Sequence, residues 1–367
     1  MRRRENPAAH PLNEGNIVFA KRTITLAALL AALVIPSVLS PTVAGATTTH
    51  QGASATLLVS GLQGTTGGTI GPDGALYVTE NVLGTVTRID PKTGATSTFA
   101  SGLPKTVIGI AGPIDVAFIG NTAYVLVSVV GPEVGGTNVD GIYRIDSPTT
   151  FTVIADLGAF SRAHPPATDF FLASGVQFAF QPFRGGFLVT DGHHNRMLSV
   201  KLDGTVTELI AFENIVPTGL AVSGKTIYMA EAGPVPHLPA TGKVVSFSAK
   251  NPVATDVASG YSLIVDVAVS KCGTVYALSQ GDSPGQVPAG SPALPNSGEL
   301  LRVNADGVFS VVADALNLPT SVVFSEDTAL VVTLNGEVWT VPVGSGRDQG
   351  KGDDCRDNNH GEHNEGK

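Results

Sequence analysis

Gly71-Pro-Asp-Gly-Ala-Leu-Tyr-Val-Thr-Glu80, followed by Gly84-Thr-Val-Thr-Arg-Ile-Asp90, decides the fold. The opening Gly-Pro-Asp-Gly is a tight turn: proline presets φ for its second position, and glycine accepts the left-handed conformation that closes it. A short run of apolar and β-branched residues follows, then a second glycine-bearing turn. After it, apolar and polar residues alternate with period two, the pattern of a half-buried strand.

The same apolar run returns at intervals of roughly 45 residues, the period of a four-stranded propeller blade. Its copies are Ala123-Tyr-Val-Leu-Val127, Phe187-Leu-Val-Thr-Asp191, Ile227-Tyr-Met-Ala-Glu231, Val275-Tyr-Ala-Leu-Ser279 and Leu330-Val-Val-Thr-Leu334. Each is read as the second strand (B) of a blade. A strand of smaller residues precedes it, as in Asp115-Val-Ala-Phe118, Gly219-Leu-Ala-Val222 and Asp266-Val-Ala-Val269. Small side chains suit the innermost strand (A), where all the blades crowd round one axis. Alternating C strands follow, and D strands follow those in every copy but the last. The last C strand ends near Val343, while the segment Ala55-Thr-Leu-Leu-Val-Ser60 has no blade of its own. The sequence therefore predicts an all-β, six-bladed propeller of four-stranded blades. Its last blade is closed by the N-terminal strand pairing with Gly336 to Pro342, which hides a strand edge.

The ends read differently. Lys21-Arg22, an apolar run from Ile24 to Leu39 and the small residues Ala44-Gly45-Ala46 have the order of an export signal. Residues 1–46 are expected to be removed, leaving a secreted or periplasmic chain from Thr47. Pro36 and the shortness of the run argue against a stable membrane anchor. The propeller is expected over 47–343, and 344–367 is a polar tail too poor in apolar residues to fold alone. Cys272 and Cys355 are the two cysteines. In an oxidising compartment they either bridge the tail to the body or stay free thiols. The whole chain carries a net charge of −9, with 14% charged residues and no basic cluster past Arg22. That excludes nucleic acid as the main partner, because phosphate neutralisation needs clustered Lys and Arg.

Loop lengths point to where a site sits. The long connections are 129–140, 159–173, 232–241 and 280–297, all at the end of the blades where strand B finishes and strand A begins. Long loops on a rigid scaffold carry binding, so a small molecule or a protein is expected at that face. Acids are expected beneath them. Glu80, Asp191 and Glu231 end B strands at equivalent positions, where the other blades have Val127, Ser279 and Leu334. Asp115 and Asp266 share a place on the A strands. Five carboxylates round one mouth repel one another unless a cation or shared protons offset them. Two readings fit: an oxygen-rich site for Ca²⁺ or another divalent metal, or carboxylates bonded to backbone amides of neighbouring blades. His193 and His194 follow Asp191 closely, which makes the three the candidates for catalytic acid–base work.

The blade phrase 71–94, together with Val189-Thr-Asp-Gly-His-His-Asn-Arg196 and Pro217-Thr-Gly-Leu-Ala-Val222, resembles the ScyD/ScyE family of exported propellers over about residues 55–343. The founding members are associated with biosynthesis of the pigment scytonemin. The blades are also similar to NHL-repeat, gluconolactonase-type and streptogramin-lyase propellers. Gluconolactonase-type enzymes hold a divalent metal with Glu, Asn and Asp; Glu80 and Asp191 match that set loosely, with no evident Asn equivalent. The resemblance implies an exported propeller presenting a loop-rich, acidic-mouthed face to a ligand or partner. The alternative it implies is a metal-dependent lactone hydrolase, a lyase or a secondary-metabolite tailoring enzyme.

Overall fold

Each apolar run becomes the second strand of a four-stranded antiparallel sheet, and the described residues hold six such sheets. The computed structural model describes residues 54–288 and 290–343. Blade one comprises strands A to D at Thr65–Ile70, Leu76–Glu80, Thr85–Ile89 and Thr96–Ser101. Blade two comprises Gly112–Ile119, Thr122–Ser128, Gly141–Ser147 and Thr150–Asp156. Blade three follows with Gln177–Phe183, Gly186–Asp191, Arg196–Lys201 and Val206–Ala211. Blade four has Pro217–Ser223, Thr226–Glu231, Lys243–Ser248 and Asn251–Ser259. Blade five has Ile264–Val269, Val275–Ser279, Gly298–Val303 and Phe309–Leu316. Blade six takes Pro319–Ser325, Thr328–Thr333 and Glu337–Pro342 from the end of the propeller and Thr56–Val59 from its start.

The N-terminal strand pairs antiparallel with strand C of blade six, Thr56 facing Thr340, Leu57 facing Trp339 and Val59 facing Val338. Leu62 N then donates to Gly336 O at 3.1 Å. Each inner strand touches the inner strands of both neighbours, so the six close into a ring.

The period of two explains why the B strands read as continuous apolar runs. Successive side chains leave a strand on opposite faces, and a B strand has a blade against each face. Leu76 and Val78 pack against Leu330 and Val332 of blade six, while Tyr77 between them packs against Val116 and Val125 of blade two. Further clusters fill the remaining seams, such as Tyr124 with Phe180 and Phe187, and Leu188 with Leu220 and Met229.

One register differs from the sequence reading. Strand B of blade six ends at Thr333, which faces Pro319 as Glu80 faces Thr65. Thr333, not Leu334, is the equivalent of Glu80. The apolar string Leu330–Leu334 invites the slip, but a one-residue shift would send every side chain to the wrong blade.

Long connections join B to C and D to A. They include the four expected from sequence and one more, 102–111, which is as long as 232–241 and was not singled out. The connection after blade two begins with helix α1, Leu157–Ala163, capped by Asp156, whose Oδ1 accepts from Ala159 N at 2.7 Å. Among the described residues no helix is long and apolar enough to cross a membrane. The expected export signal, the polar tail and Cys355, and with it the Cys272–Cys355 pairing, lie outside the described residues.

Candidate functional site

Asp115 and Asp266 occupy the same place on the inner strands of blades two and five, on opposite sides of the ring. Asp115 Oδ1 accepts from Val116 N at 2.8 Å, and Oδ2 from Phe180 N of blade three at 3.0 Å. Asp266 repeats the pattern with Val267 N and Val322 N of blade six, both at 2.8 Å. On the other side each presses on a glycine, Gly67 of blade one and Gly219 of blade four, where a Cβ would overlap the aspartate. Each aspartate thus clamps three blades. Burial is the main cause that pushes both carboxyls up, Asp115 well above the usual range and Asp266 to about 7.

Asp191 sits in a dense polar network. It accepts from Val176 N at 3.0 Å, Ser161 Oγ at 3.3 Å and Arg196 Nε at 3.4 Å. Arg196 is 1% exposed, so its guanidinium is charged in the interior and must be fully partnered. It also donates to His164 O at 2.7 Å and to His194 Nδ1 at 3.0 Å. A guanidinium only donates and a carbonyl only accepts. His194 therefore carries its proton on Nε2, bonded to Leu172 O at 2.9 Å, and its Nδ1 lone pair is taken. His194 is no free base; with Asp191 it fastens the connection 157–176.

Glu80 is bonded as well, through Gln63 N at 2.7 Å and the hydroxyls of Thr85 and Thr87. Glu231 differs. It is 2% exposed, and its Oε2 has no hydrogen-bond partner. Burial, only partly opposed by Lys243, pushes its carboxyl up to about 7.

Asp115 and Asp266 share the channel, and, after burial, the charge of Asp266 adds to the rise at Asp115. Among the described residues no three His, Cys, Asp or Glu side chains are grouped to hold a metal ion. Of Glu80, Asp115, Asp191, Glu231 and Asp266, all but Glu231 accept at least one backbone N–H, the second of the two bonding patterns expected from the sequence.

The axis holds a cavity of about 600 Å³. Its walls come from the inner strands of all six blades, and loops supply Ile108, Ile110, Phe171, His237 and Gln280. The volume is that of a small-molecule site. Most of the lining is apolar, and among the described residues Asp115 and Asp266 are its only acids and neither Lys nor Arg lines it. The mouth is therefore apolar, with amide and imidazole groups, rather than acidic. Val107, Ile108, Ile110, Phe170 and Phe171 are exposed in the loops that line it, Phe171 by 58%.

Of the sequence candidates only His193 joins Asp115 and Asp266 at the cavity wall. Its ring meets Phe171 edge-on, with centroids 4.3 Å apart. Burial first, and then the neighbouring His194 and His237, hold its pKa down at about 4, against the pull of Asp191. Two polar lining residues were not foreseen. His237 lies in the long loop of blade four, and its Nδ1 is 2.6 Å from Gly233 O and 3.3 Å from Ala232 O. Asn81, next to Glu80, is 1% exposed, and neither Oδ1 nor Nδ2 has a partner. A histidine inside a long B-to-C loop was a usable signal for the first; nothing in the sequence marked the second.

No protein-family model matches this chain, and no curated protein sequence does. Solved structures do. A gluconolactonase from Xanthomonas campestris is 12% identical, with 79% of this chain and 89% of that one covered at a TM-score of 0.55. The PQQ-bound aldose sugar dehydrogenase of Streptomyces coelicolor is 13% identical over 79% and 98% of the chains, with a TM-score of 0.53. Virginiamycin B lyase from Staphylococcus aureus is 11% identical over 79% and 98%, with a TM-score of 0.50. At these identities the likeness is one of fold, and the same fold carries different chemistries in these three proteins.

Proposed function

We propose that this chain is an exported, ScyD/ScyE-like propeller that binds an apolar small molecule in its axial cavity, entered from the loop-rich face. The observation that carries the reading is the cavity itself: about 600 Å³, mostly apolar, free of Lys and Arg among the described residues, and edged by exposed Ile and Phe side chains. Apolar area removed from water supplies the affinity, and the few polar groups supply orientation. A metal-dependent lactone hydrolase or lyase draws less support, since a divalent ion needs several converging oxygen ligands and among the described residues no three His, Cys, Asp or Glu side chains are grouped to hold one.

Titration with Nile red, an uncharged dye that brightens in apolar surroundings, tests the reading. Saturable binding of one dye per chain is expected. Ile110→Lys, at a 43% exposed loop position on the cavity wall, should weaken it by about tenfold, equivalent to about 1.4 kcal/mol, with the fold intact. Unsaturable binding, or equal binding by Ile110→Lys, would overturn it. A melting midpoint that rises with Ca²⁺ or Mg²⁺ would favour the metal-dependent enzyme instead.

A further inference from the structure

We propose that the cavity selects an uncharged ligand that joins an apolar body to an O–H or N–H donor, with His237 Nε2 as the acceptor of that donor and the Asn81 carboxamide as a second polar contact. The inference rests on the binding function above and names the class of ligand.

The tautomer of His237 is set by its partners. Nδ1 faces two carbonyl oxygens, Gly233 O at 2.6 Å and Ala232 O at 3.3 Å, and carbonyls only accept. Nδ1 therefore carries a proton, and Nε2 of the neutral ring presents a lone pair. Asn81 stands in blade one, across the ring from the blade-four loop of His237, and both line the cavity. Its amide is buried with both polar atoms unpartnered. A buried, unsatisfied amide costs stability unless something outside the chain completes it. His193, held neutral down to about pH 4, adds a donor and an acceptor without charge.

The lining also says what does not fit. An anion would enter without Lys or Arg to meet it. A cation would find Asp115 and Asp266, but every oxygen of both already accepts a backbone N–H. An uncharged donor is what the remaining groups complement.

The test compares naphthalene, 2-naphthol and 2-naphthoate on the full chain at neutral pH, read by fluorescence or calorimetry. 2-Naphthol is expected to bind about tenfold more tightly than naphthalene, the scale of one well-made hydrogen bond, and 2-naphthoate most weakly. In His237→Phe the advantage of the hydroxyl should vanish while naphthalene binds as before. Asn81→Leu should melt no lower than the parent and should bind 2-naphthol more weakly. Equal binding of naphthol and naphthalene by the parent protein would overturn the proposal. So would a hydroxyl preference surviving in folded His237→Phe, or naphthoate binding tightest. A marked fall in the melting midpoint of Asn81→Leu would make that residue structural and remove it. If His237→Phe does not fold, the ligand series on the parent protein decides. Failure of all three probes to bind the parent would instead overturn the binding function itself.

Discussion

Asp191 and Glu231 end the B strands of adjacent blades, and each faces the first residue of its A strand, Gln177 and Pro217. Asp191 accepts hydrogen bonds from Val176 N, Ser161 and Arg196. Glu231 has a bare oxygen and a carboxyl pushed up to about 7 by burial. The donors that serve this place elsewhere are the backbone N–H groups just before strand A, Val176 in blade three and Gln63 in blade one. Their blade-four counterparts, Ile215 N and Val216 N, both bond to Asn195 Oδ1 of blade three, at 3.0 and 2.9 Å. A single side chain from the next blade has taken what the repeat would have supplied. Equal positions in a repeat thus guarantee equal geometry, and they leave the chemistry to the neighbours.

Breaking the well-served site should cost most. Asp191→Ala leaves the buried Arg196 with only the half-exposed Glu208 carboxylate, 3.5 Å from Nη1, and frees the connection 157–176. We expect a loss of about 3–5 kcal/mol in urea denaturation, together with loss of Nile red binding. A loss under about 1 kcal/mol would show that the network is not what holds the loop.

A smaller effect tests the clamps that flank these two blades. In Gly219→Ala the new Cβ would lie 2.5 Å from Asp266 Cα, a backbone atom with nowhere to go. About 3 kcal/mol should be lost, the upper end of ordinary overpacking. A neutral result would mean that the inner strands yield, and that Asp266 is no clamp.

The smallest effect has the opposite sign. The folded-state pKa of Glu231, about 7, lies above its ordinary value of 4.5. Its contribution is therefore present in full below about pH 4.5 and is lost as pH rises through about 7. Glu231→Gln removes the charge but keeps a buried polar group, so the gain is partial, about 1–2 kcal/mol at pH 8 and close to nothing at pH 4. Melting curves at both pH values read it. Equal destabilisation at both would place a partner on Glu231 and erase its contrast with Asp191.

The strand register shows how far a linear pattern reaches. Period-two alternation located every B strand because both faces of that strand are buried, and it identified Thr56–Val59 as the missing strand of blade six. It failed by one residue at Leu334, where an apolar turn residue continued the string past Thr333, the true end of the strand. His193 was found as a neighbour of Asp191, yet the two serve different ends. Asp191 turns into the loop network, while His193 faces the cavity with Phe171.

Backbone periodicity is local and repeats, so the sequence by itself determined the number of blades, the order of their strands and the closure by the N-terminal strand. It also placed Asp115 and Asp266 on the channel. Which groups remain free to meet a ligand depends on side-chain partners that the strand pattern does not mark, some within a turn and some from the neighbouring blade. Asn195 deprives Glu231, Arg196 occupies His194, and Gly233 O fixes the proton of His237. The bonds from Phe180 N to Asp115 and from Val322 N to Asp266 cross blades and form only in the closed ring, and four of the five acids singled out in the sequence hold the scaffold in this way or through nearer donors, Glu231 being the exception. Asn81 and His237, which no repeat marks, are left facing the cavity.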